Sequence, residues 1–310
     1  MYFHCDCVFG KIKEKFDYIC KYNIIRNMKR FSLILLLSLA FSPLFAGKIV
    51  TDSISSKVLG ADVPFNVYLP DGFAETCGHY PVVYLLHGLS DDYTAWRTRG
   101  GLQTVADELI RSGEVKPMVI VMPNAGGEDI HNIWNGYFNM PGWNYEDFFF
   151  NEFIPLVEAK YYCGGHKSQR AVMGLSMGGG GSTVYCQRHP DIFSSCYAMS
   201  PWLDDKSNEV EGEYTTRDKL YYVCQSVRDN SAIDFIAGAD EETLGKLRTV
   251  AWFIDCGDDD FLFDQSIALH QKMRDHGVKS ELRVRNGVHN WEYWHLALRW
   301  SLPFASRNFD

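Results

Sequence analysis

The chain has 310 residues, 46% of them hydrophobic and 22% charged, which is a composition typical of globular domains and excludes collagen-like, low-complexity and disordered chains. The formal charge is −9, and the first 46 residues contain seven Lys and Arg against three acidic residues, so the remainder carries −13. Because this remainder is so acidic, the protein is not expected to bind nucleic acid.

The first 46 residues have the order of a secretory leader. A basic start at 28–30 precedes an apolar stretch at 31–41, and a Pro and small residues follow up to Ala46. The stretch is too short to span a bilayer, which takes about 20 apolar residues, so a signal peptide is favoured over a membrane anchor. We therefore expect a mature chain that begins near residue 47 and is secreted or periplasmic, without stable membrane insertion.

Six cysteines follow this leader, and in an oxidising compartment an even number permits disulfides. No two of them have the close spacing of metal ligands, so the sequence predicts no metal centre, and no cofactor is expected. Cys196 and Cys256 lie in or beside apolar runs, which favours buried free thiols there. The six are Cys77, Cys163, Cys186, Cys196, Cys224 and Cys256.

Short apolar runs alternate along the chain with helical patterns. An outer pair of strands is predicted at 48–59 and 63–69. Runs that do not alternate are typical of strands buried on both faces, and they occupy 82–86, 118–122, 171–175, 193–199 and 250–254. Helical patterns cover 104–110, 145–161 and 262–276. This order predicts one α/β domain over 47–310, with a mainly parallel central sheet and helices on both faces.

The segment 203–248 breaks this alternation. We interpret it as an insertion after the strand that ends near Met199, mostly helical, with a helix start at Asp240. It is expected near the C-terminal edge of the sheet, where it would serve either as a lid or as packing.

The candidate nucleophile lies in Gly174-Leu175-Ser176-Met177-Gly178, which fits the Gly-x-Ser-x-Gly pattern. A predicted strand precedes it and a helix start rich in small residues follows. In such a strand-to-helix turn, side chains at the two Gly positions would clash, and the turn presents the serine hydroxyl above the sheet. The alternative is a glycine-rich turn with a purely structural role, which this context disfavours.

A serine hydroxyl needs a base to remove its proton and a carboxylate to orient that base, and in this kind of sheet both come later in the chain. His289 directly follows a predicted strand at 282–285, at the edge where catalytic loops lie, and is favoured over His295 on the next helix. For the acid, spacing does not separate Asp259 from Asp260.

An oxyanion hole requires two backbone N–H groups aimed at the developing negative charge. One comes from the residue after the nucleophile and the other from the loop after an earlier strand, which points to Met177 and Leu89. His87, at the end of the 82–86 strand, is interpreted as a hydrogen-bonding group that holds this loop, and not as an acid or base.

At these residues the chain resembles the esterase-D-like or feruloyl-esterase-like branch of the α/β-hydrolases. The resemblance runs from about residue 50 to the C-terminus. It implies the α/β-hydrolase fold, and it implies Asp260 as the acid because the family's acid precedes a Phe-Leu-like pair. It also implies that the strands after Cys77 and Cys163 are neighbours, which predicts a disulfide between these two cysteines. The matching pieces are 84–89 with Trp96, 174–179, Cys256-Gly257 with 260–262, and 287–291 with Trp294.

Two stretches match no motif and are therefore expected to set the substrate: the loop 125–143 and the insertion 203–248. Trp134 and Tyr137 of the loop are candidates to stack on a phenolic acid or a sugar. Trp202 and Trp291 are candidates to narrow the acyl pocket.

The leading hypothesis is a secreted serine esterase that forms an acyl-enzyme at Ser176. Its expected substrates are short-chain acyl, acetyl or feruloyl esters, either as small molecules or linked to polysaccharide. The alternatives are a serine peptidase or acyltransferase of the same fold, and a non-catalytic carbohydrate-binding protein, which the intact Ser, Asp and His set disfavours.

Overall fold

The computed structural model describes Lys21 and residues 46–73, 79–205 and 218–310. The apolar stretch of the predicted signal peptide lies outside these residues. Ala46–Asp310 forms one compact unit. Within the described ranges, no helix is long and apolar enough to cross a membrane, and no group of His, Cys, Asp and Glu side chains could hold a metal ion.

Eight strands form the central sheet, in the order β1-β2-β4-β3-β7-β8-β9-β10. β2 pairs antiparallel with β1 and β4, and every pair from β4 to β10 along this order is parallel. β5 and β6 form a separate two-stranded hairpin. The strands are β1 Lys48–Ser56, β2 Ala61–Leu69, β3 Val82–Leu86, β4 Val119–Pro123, β5 Asn139–Met140, β6 Trp143–Asn144, β7 Arg170–Leu175, β8 Ser195–Met199, β9 Ala251–Gly257 and β10 Ser280–Arg285.

The helices between the strands agree with the periodicity except at one place. The single helix predicted at 145–161 contains a π-helical turn at Phe149–Phe153. Pro155 has no N–H to donate to the carbonyl of residue 151, so the regular ladder cannot run through this point. The helices are α1 Ala95–Thr98, α2 Leu102–Ser112, α3 Tyr145–Phe148, α4 Ile154–Tyr161, α5 Met177–Arg188, α6 Lys219–Asp229, α7 Ala232–Gly238, α8 Glu241–Leu247, α9 Phe263–Asp275 and α10 Trp291–Arg307.

Neighbouring residues of the central strands enter two different hydrophobic cores. On β3, Val83 and Leu85 pack into the core shared with α2 and α10. Val82, Tyr84 and Leu86 of the same strand pack into the core shared with α4, α5 and α9. Because both faces of the sheet are covered by helices, β3 is buried at every position, as its unbroken apolar sequence predicts. The predicted fold class is confirmed.

The described part of the insertion consists of α6, α7 and α8. The last of these is capped at its N-terminus by Asp240, where the sequence predicts a helix start, and the Asp240 side chain accepts a hydrogen bond from the Thr243 amide at 2.8 Å. The start of α6 contacts the loop 125–143, since Lys219 Nζ donates to the Asn132 carbonyl at 2.6 Å. The two stretches without a motif are therefore in direct contact with each other.

The cysteines that the structure describes are free. Cys196 and Cys256 are buried thiols, as predicted. Cys163 is also a buried free thiol, paired by an isolated β-bridge with Tyr80, which lies just before β3. The expected partner Cys77 lies outside the described residues, so the disulfide between Cys77 and Cys163 stays a prediction.

Candidate active site

Ser176 lies at a sharp turn between β7 and α5. Its backbone has φ 52° and ψ −117°, a conformation that costs energy for any residue with a Cβ atom. A Cβ added to Gly174 would lie 2.4 Å from the Gly178 carbonyl oxygen, and one added to Gly178 would lie 2.6 Å from the His87 carbonyl oxygen. Both flanking positions therefore require glycine for the reason that the sequence pattern suggests.

The structure brings the three predicted residues of the triad together in one hydrogen-bonded chain. His289 Nε2 lies 2.9 Å from Ser176 Oγ, and His289 Nδ1 lies 2.9 Å and 3.0 Å from the two carboxylate oxygens of Asp260. Because an ionised carboxylate only accepts, Nδ1 carries the proton and Nε2 presents its lone pair to the serine hydroxyl. Ser176, Asp260 and His289 follow β7, β9 and β10, so all three lie at the carboxyl ends of parallel strands.

The structure separates Asp260 from the two acids before it. Asp260 is buried, whereas Asp258 and Asp259 are exposed. Burial by itself would raise the pKa of Asp260, but hydrogen bonds from His289 and from the Leu262 amide hold this pKa below its ordinary value. Asp260 is therefore a carboxylate around neutral pH, which is the form that orients the imidazole.

Replacing Asp260 with Asn is expected to lower kcat for ester hydrolysis by roughly 10⁴, because the amide can stabilise the wrong tautomer of His289. Steady-state kinetics on a nitrophenyl ester measures this effect. Asp259→Asn is the matched control, since it removes a neighbouring exposed carboxylate, and its kcat is expected to stay close to wild type. If Asp259→Asn were the more damaging variant, the acid would have to be reassigned.

The imidazole of His289 is enclosed by two aromatic rings. The Phe261 ring centroid lies 4.4 Å from it and the Trp294 ring centroid lies 4.8 Å from it. Trp294 is itself fixed, because its indole N–H donates to Ser200 Oγ at 3.1 Å. Phe261 is 77% exposed. An apolar side chain so exposed beside a base shields it on one side and offers a contact surface to a substrate.

A buried carboxylate ties the His289 segment to the sheet. Asp255 is fully buried and accepts hydrogen bonds from the hydroxyls of Tyr197 on β8 and Tyr293 on α10. The guanidinium of Arg285 lies 3.7 Å from the Tyr293 ring centroid. Because Tyr293 is four residues beyond His289, these contacts fix the start of α10 and the base that precedes it. The sequence gives no signal for this network.

The loop after β3 meets Ser176 at the oxyanion position. A Cβ added to Gly88 would lie 3.6 Å from Ser176 Cβ, so the loop and the nucleophile are in close contact. In the part of the chain that the structure describes, the amides of Leu89 and Met177 have no protein acceptor. Both N–H groups are available to a developing oxyanion, and the role of this pair as the oxyanion hole stays a prediction.

His87 holds this loop by both ring nitrogens. Its Nδ1–H donates to the Gly88 carbonyl at 2.8 Å, and its Nε2 accepts from the Ala125 amide at 2.9 Å. Burial lowers the pKa of His87 to about 4, so the ring is neutral near neutral pH and keeps this tautomer. The interpretation of His87 as a loop-holding residue agrees with this geometry.

The loop 125–143 supports the oxyanion loop instead of contacting the cavity. Asn135 is fully buried and accepts a hydrogen bond from the Ser90 amide at 3.2 Å. Tyr137, predicted to contact substrate, is 1% exposed, and its hydroxyl donates to the His87 carbonyl at 3.0 Å. The prediction for Tyr137 is wrong because the ring is needed as support beneath the loop. Asn135 was missed, since a lone Asn in a long loop carries no sequence signal.

Two other predicted contacts also lie away from the cavity. Trp134 packs against Trp143, with ring centroids 6.3 Å apart, and the Lys219 ammonium lies 5.3 Å from its ring centroid. The backbone amide of Trp202 supports the sharp turn at Ser176 by donating to the Ser176 carbonyl at 3.0 Å, while its indole packs against the core. Trp291 does line the cavity.

A cavity of about 580 Å³ opens over Ser176 and His289. None of the described residues of 125–143 or 203–248 belongs to its walls. The expectation that these two stretches contact the substrate is therefore not met where the structure describes them. The walls are formed by residues 88–91, Arg99, Leu175, Ser176, Phe261, residues 289–292 and Trp294.

The eight-stranded sheet, the strained serine after β7 and the Ser-His-Asp hydrogen-bond chain define the α/β-hydrolase fold. Within this fold, the model of the Esterase family matches residues 56–305. The chain therefore belongs to this family of carboxylic ester hydrolases.

Known relatives agree with this membership. A solved ferulic acid esterase is 48% identical, with a TM-score of 0.82, over 86% of this chain and 99% of that one. An endo-1,4-beta-xylanase/feruloyl esterase of Xylanibacter ruminicola is 31% identical over 151 residues, which are 47% of this chain and only 20% of that protein. A ferulic acid esterase from Anaeromyces mucronatus, solved with ferulic acid, is 20% identical with a TM-score of 0.66 over 84% of this chain and 92% of that one, and shows the shared fold.

Proposed function

We propose that this protein is a serine esterase that cleaves feruloyl or short-chain acyl esters of carbohydrates through an acyl-enzyme. The observation that carries the proposal is the position of His289, 2.9 Å from Ser176 Oγ on one side and 2.9 Å from Asp260 on the other. This arrangement supplies a base to the nucleophile and a fixed tautomer to the base.

In the first half-reaction Ser176 Oγ attacks the ester carbonyl carbon while His289 Nε2 takes the hydroxyl proton. The negative charge moves to the carbonyl oxygen, where the amides of Leu89 and Met177 stabilise it. When the tetrahedral intermediate collapses, the bond to the alcohol oxygen breaks and the imidazolium returns the proton to that oxygen. The alcohol leaves, and the acyl group remains on Ser176.

In the second half-reaction a water molecule replaces the alcohol. His289 takes a proton from this water, the hydroxide adds to the acyl carbon, and the same two amides hold the oxyanion. Collapse releases the carboxylic acid and returns the proton to Ser176 Oγ. Throughout both steps Asp260 stays ionised and stabilises the imidazolium without accepting its proton.

The substrate class is supported from two directions. The 48% identical ferulic acid esterase and the relative that joins a xylanase to a feruloyl esterase favour feruloyl esters on plant polysaccharide. The leader at the N-terminus favours export, which would bring the enzyme to a polymer outside the cytoplasm. A secreted feruloyl or acetyl esterase accounts for both.

The acyl part of the substrate is expected to be short or flat. Phe261 and Trp294 are bulky ring side chains in the walls of the cavity. A long flexible chain would have to order many rotatable bonds against them. We therefore expect kcat/KM to fall by at least about tenfold between four-carbon and twelve-carbon nitrophenyl esters, which is about 1.4 kcal/mol of transition-state binding.

The test is the mature chain assayed on nitrophenyl esters of increasing acyl length, methyl ferulate and acetylated xylan. Release of ferulate or acetate confirms the proposed activity. Equal or better hydrolysis of the twelve-carbon ester would indicate an open lipid-binding groove and favour a lipase or an acyltransferase. Absence of hydrolysis on every ester, with cleavage of a peptide amide, would favour the peptidase.

A further inference from the structure

Arg99 lies in the cavity but has no part in the chemistry described above. It follows α1 directly, and its side chain is 58% exposed. Arg99 Nη1 donates to Asp91 Oδ1 at 2.8 Å, and the guanidinium carbon lies 5.2 Å from the Trp291 ring centroid. No motif in the sequence marks this residue, because the chain brings it to the cavity only through the packing of α1 and α10.

The guanidinium is held in place by groups that are themselves fixed. The side chain of Asp91 is only 7% exposed, and its carboxylate lies against Gly88 of the oxyanion loop, 3.3 Å from where a Cβ on Gly88 would stand. The Trp291 ring lies against the edges of Trp96 and Trp294, with centroids 5.1 Å and 5.5 Å away. Arg99 is therefore preorganised, and little conformational entropy is lost when it binds a ligand.

Most donors of this guanidinium are available to a ligand. A guanidinium has five N–H donors and no acceptor. Among the residues that the structure describes, Asp91 is the one acceptor within hydrogen-bond distance of Arg99. The remaining N–H groups of a half-exposed side chain at the cavity wall are suited to oxygen acceptors on a bound substrate.

The transfer of a proton from His289 to the leaving oxygen places the alcohol part of the ester on the side of the cavity that Arg99 lines. The leaving oxygen must come within hydrogen-bond reach of His289 Nε2 to receive its proton. Asn290, Trp291 and Glu292 follow His289 directly in the chain and line the same cavity. The alcohol therefore lies along this wall. Arg99 belongs to the same wall, since its guanidinium lies over the Trp291 ring.

The groups on this wall indicate what kind of alcohol it binds. Arg99 donates hydrogen bonds and the carboxylate of Glu292, an exposed residue of the wall, accepts them. A sugar hydroxyl can do both, so a neutral sugar matches the pair. An alkyl alcohol would leave both groups without a ligand, and a uronate would bring its negative charge beside Glu292.

We propose that Arg99 and Glu292, on the wall formed with Trp291, are the subsite for the alcohol part of the ester, and that this alcohol is a neutral sugar. The inference rests on the proposed esterase function and assigns its specificity to these two residues. Asp91 is a positioning residue, which acts through Arg99 and the oxyanion loop.

The test compares two esters of one acid: methyl ferulate and ferulate esterified to the primary hydroxyl of arabinose. The quantity measured is the ratio of kcat/KM for the sugar ester to kcat/KM for the methyl ester. The wild-type ratio is expected to be well above one, which means that the sugar ester is the better substrate. Arg99→Ala is expected to lower it by about tenfold, the effect of losing a charge-assisted hydrogen bond at a partly exposed site. Glu292→Gln should also lower it, and Arg99→Lys should give an intermediate ratio.

Arg97→Ala is the matched control, because Arg97 is an exposed arginine of α1, two residues before Arg99, and does not line the cavity. Its ratio and its melting temperature are expected to equal those of wild type. A wild-type enzyme that cleaves both esters with equal kcat/KM overturns the inference and leaves the esterase proposal intact. So does an Arg99→Ala variant that folds normally and loses the same factor on both esters. Failure of the wild type on both esters counts against the proposed function itself.

Discussion

Replacing Ser176 with alanine is expected to lower kcat for ester hydrolysis by around a millionfold, the usual consequence of removing a triad nucleophile. Without Oγ no acyl-enzyme forms, and neither His289 nor the oxyanion amides can replace the missing bond. The variant should still fold, because the shape of the turn at residue 176 depends on Gly174 and Gly178. Alanine at 176 has the same Cβ as serine and accepts the observed φ of 52° at the same cost.

Two measurements check this expectation. Initial rates on a short-chain nitrophenyl ester give the loss of activity, and thermal unfolding followed by circular dichroism gives the melting temperature. Ser182→Ala is the matched control: this buried serine lies on α5, and its hydroxyl donates to the Gly179 carbonyl. It is expected to retain activity. Activity of Ser176→Ala within tenfold of wild type would falsify the nucleophile assignment.

Replacing His289 with alanine is expected to be about as damaging as the loss of the nucleophile, since the two residues act as one unit. The serine hydroxyl would keep its proton at neutral pH, and the leaving alcohol would have no donor. A double variant of Ser176 and His289 should be little worse than either single one. This strong non-additivity distinguishes a shared chemical step from two separate effects on stability.

His295→Ala is the control for His289. His295 lies on α10, and its Nδ1 donates to the Gly100 carbonyl at 2.7 Å, which ties the helix to the turn before α2. Its loss is expected to affect stability more than turnover, with kcat close to wild type. The opposite result, a mild His289→Ala and an inactive His295→Ala, would identify His295 as the base and contradict the assignment of the triad.

The order of secondary structure follows closely from the sequence because burial on both faces leaves a simple signal. Strands such as β3 and β4 are unbroken apolar runs, and a parallel sheet covered by helices is the arrangement that buries them. The ends and the regularity of individual elements depend on local contacts instead. Strand β9 extends to Gly257, which pairs with Arg285 of β10. The helix predicted at 145–161 has a π-helical turn, since Pro155 has no N–H to continue the regular ladder.

The nucleophile and the base could be predicted because each stands at a constrained backbone position. Gly174 and Gly178 are forced by close approach of the chain to itself, and His289 directly follows an end of the parallel sheet. The substrate contacts could not be predicted in the same way. Trp134 and Tyr137 are aromatic residues in a long loop, and aromatic side chains serve equally well as a binding surface or as core.

The sequence by itself determined the α/β architecture, the elbow serine and the histidine after the last strand, because these depend on periodicity and on local steric limits. Spacing left Asp259 and Asp260 open and the family resemblance implied Asp260, whose contact with His289 the tertiary structure shows. Only the tertiary structure decided that the loop 125–143 supports the oxyanion loop and that Arg99 lies over Trp291. Each of these is a contact between segments far apart in the chain. Such contacts depend on how the helices pack on the sheet, which no local pattern encodes.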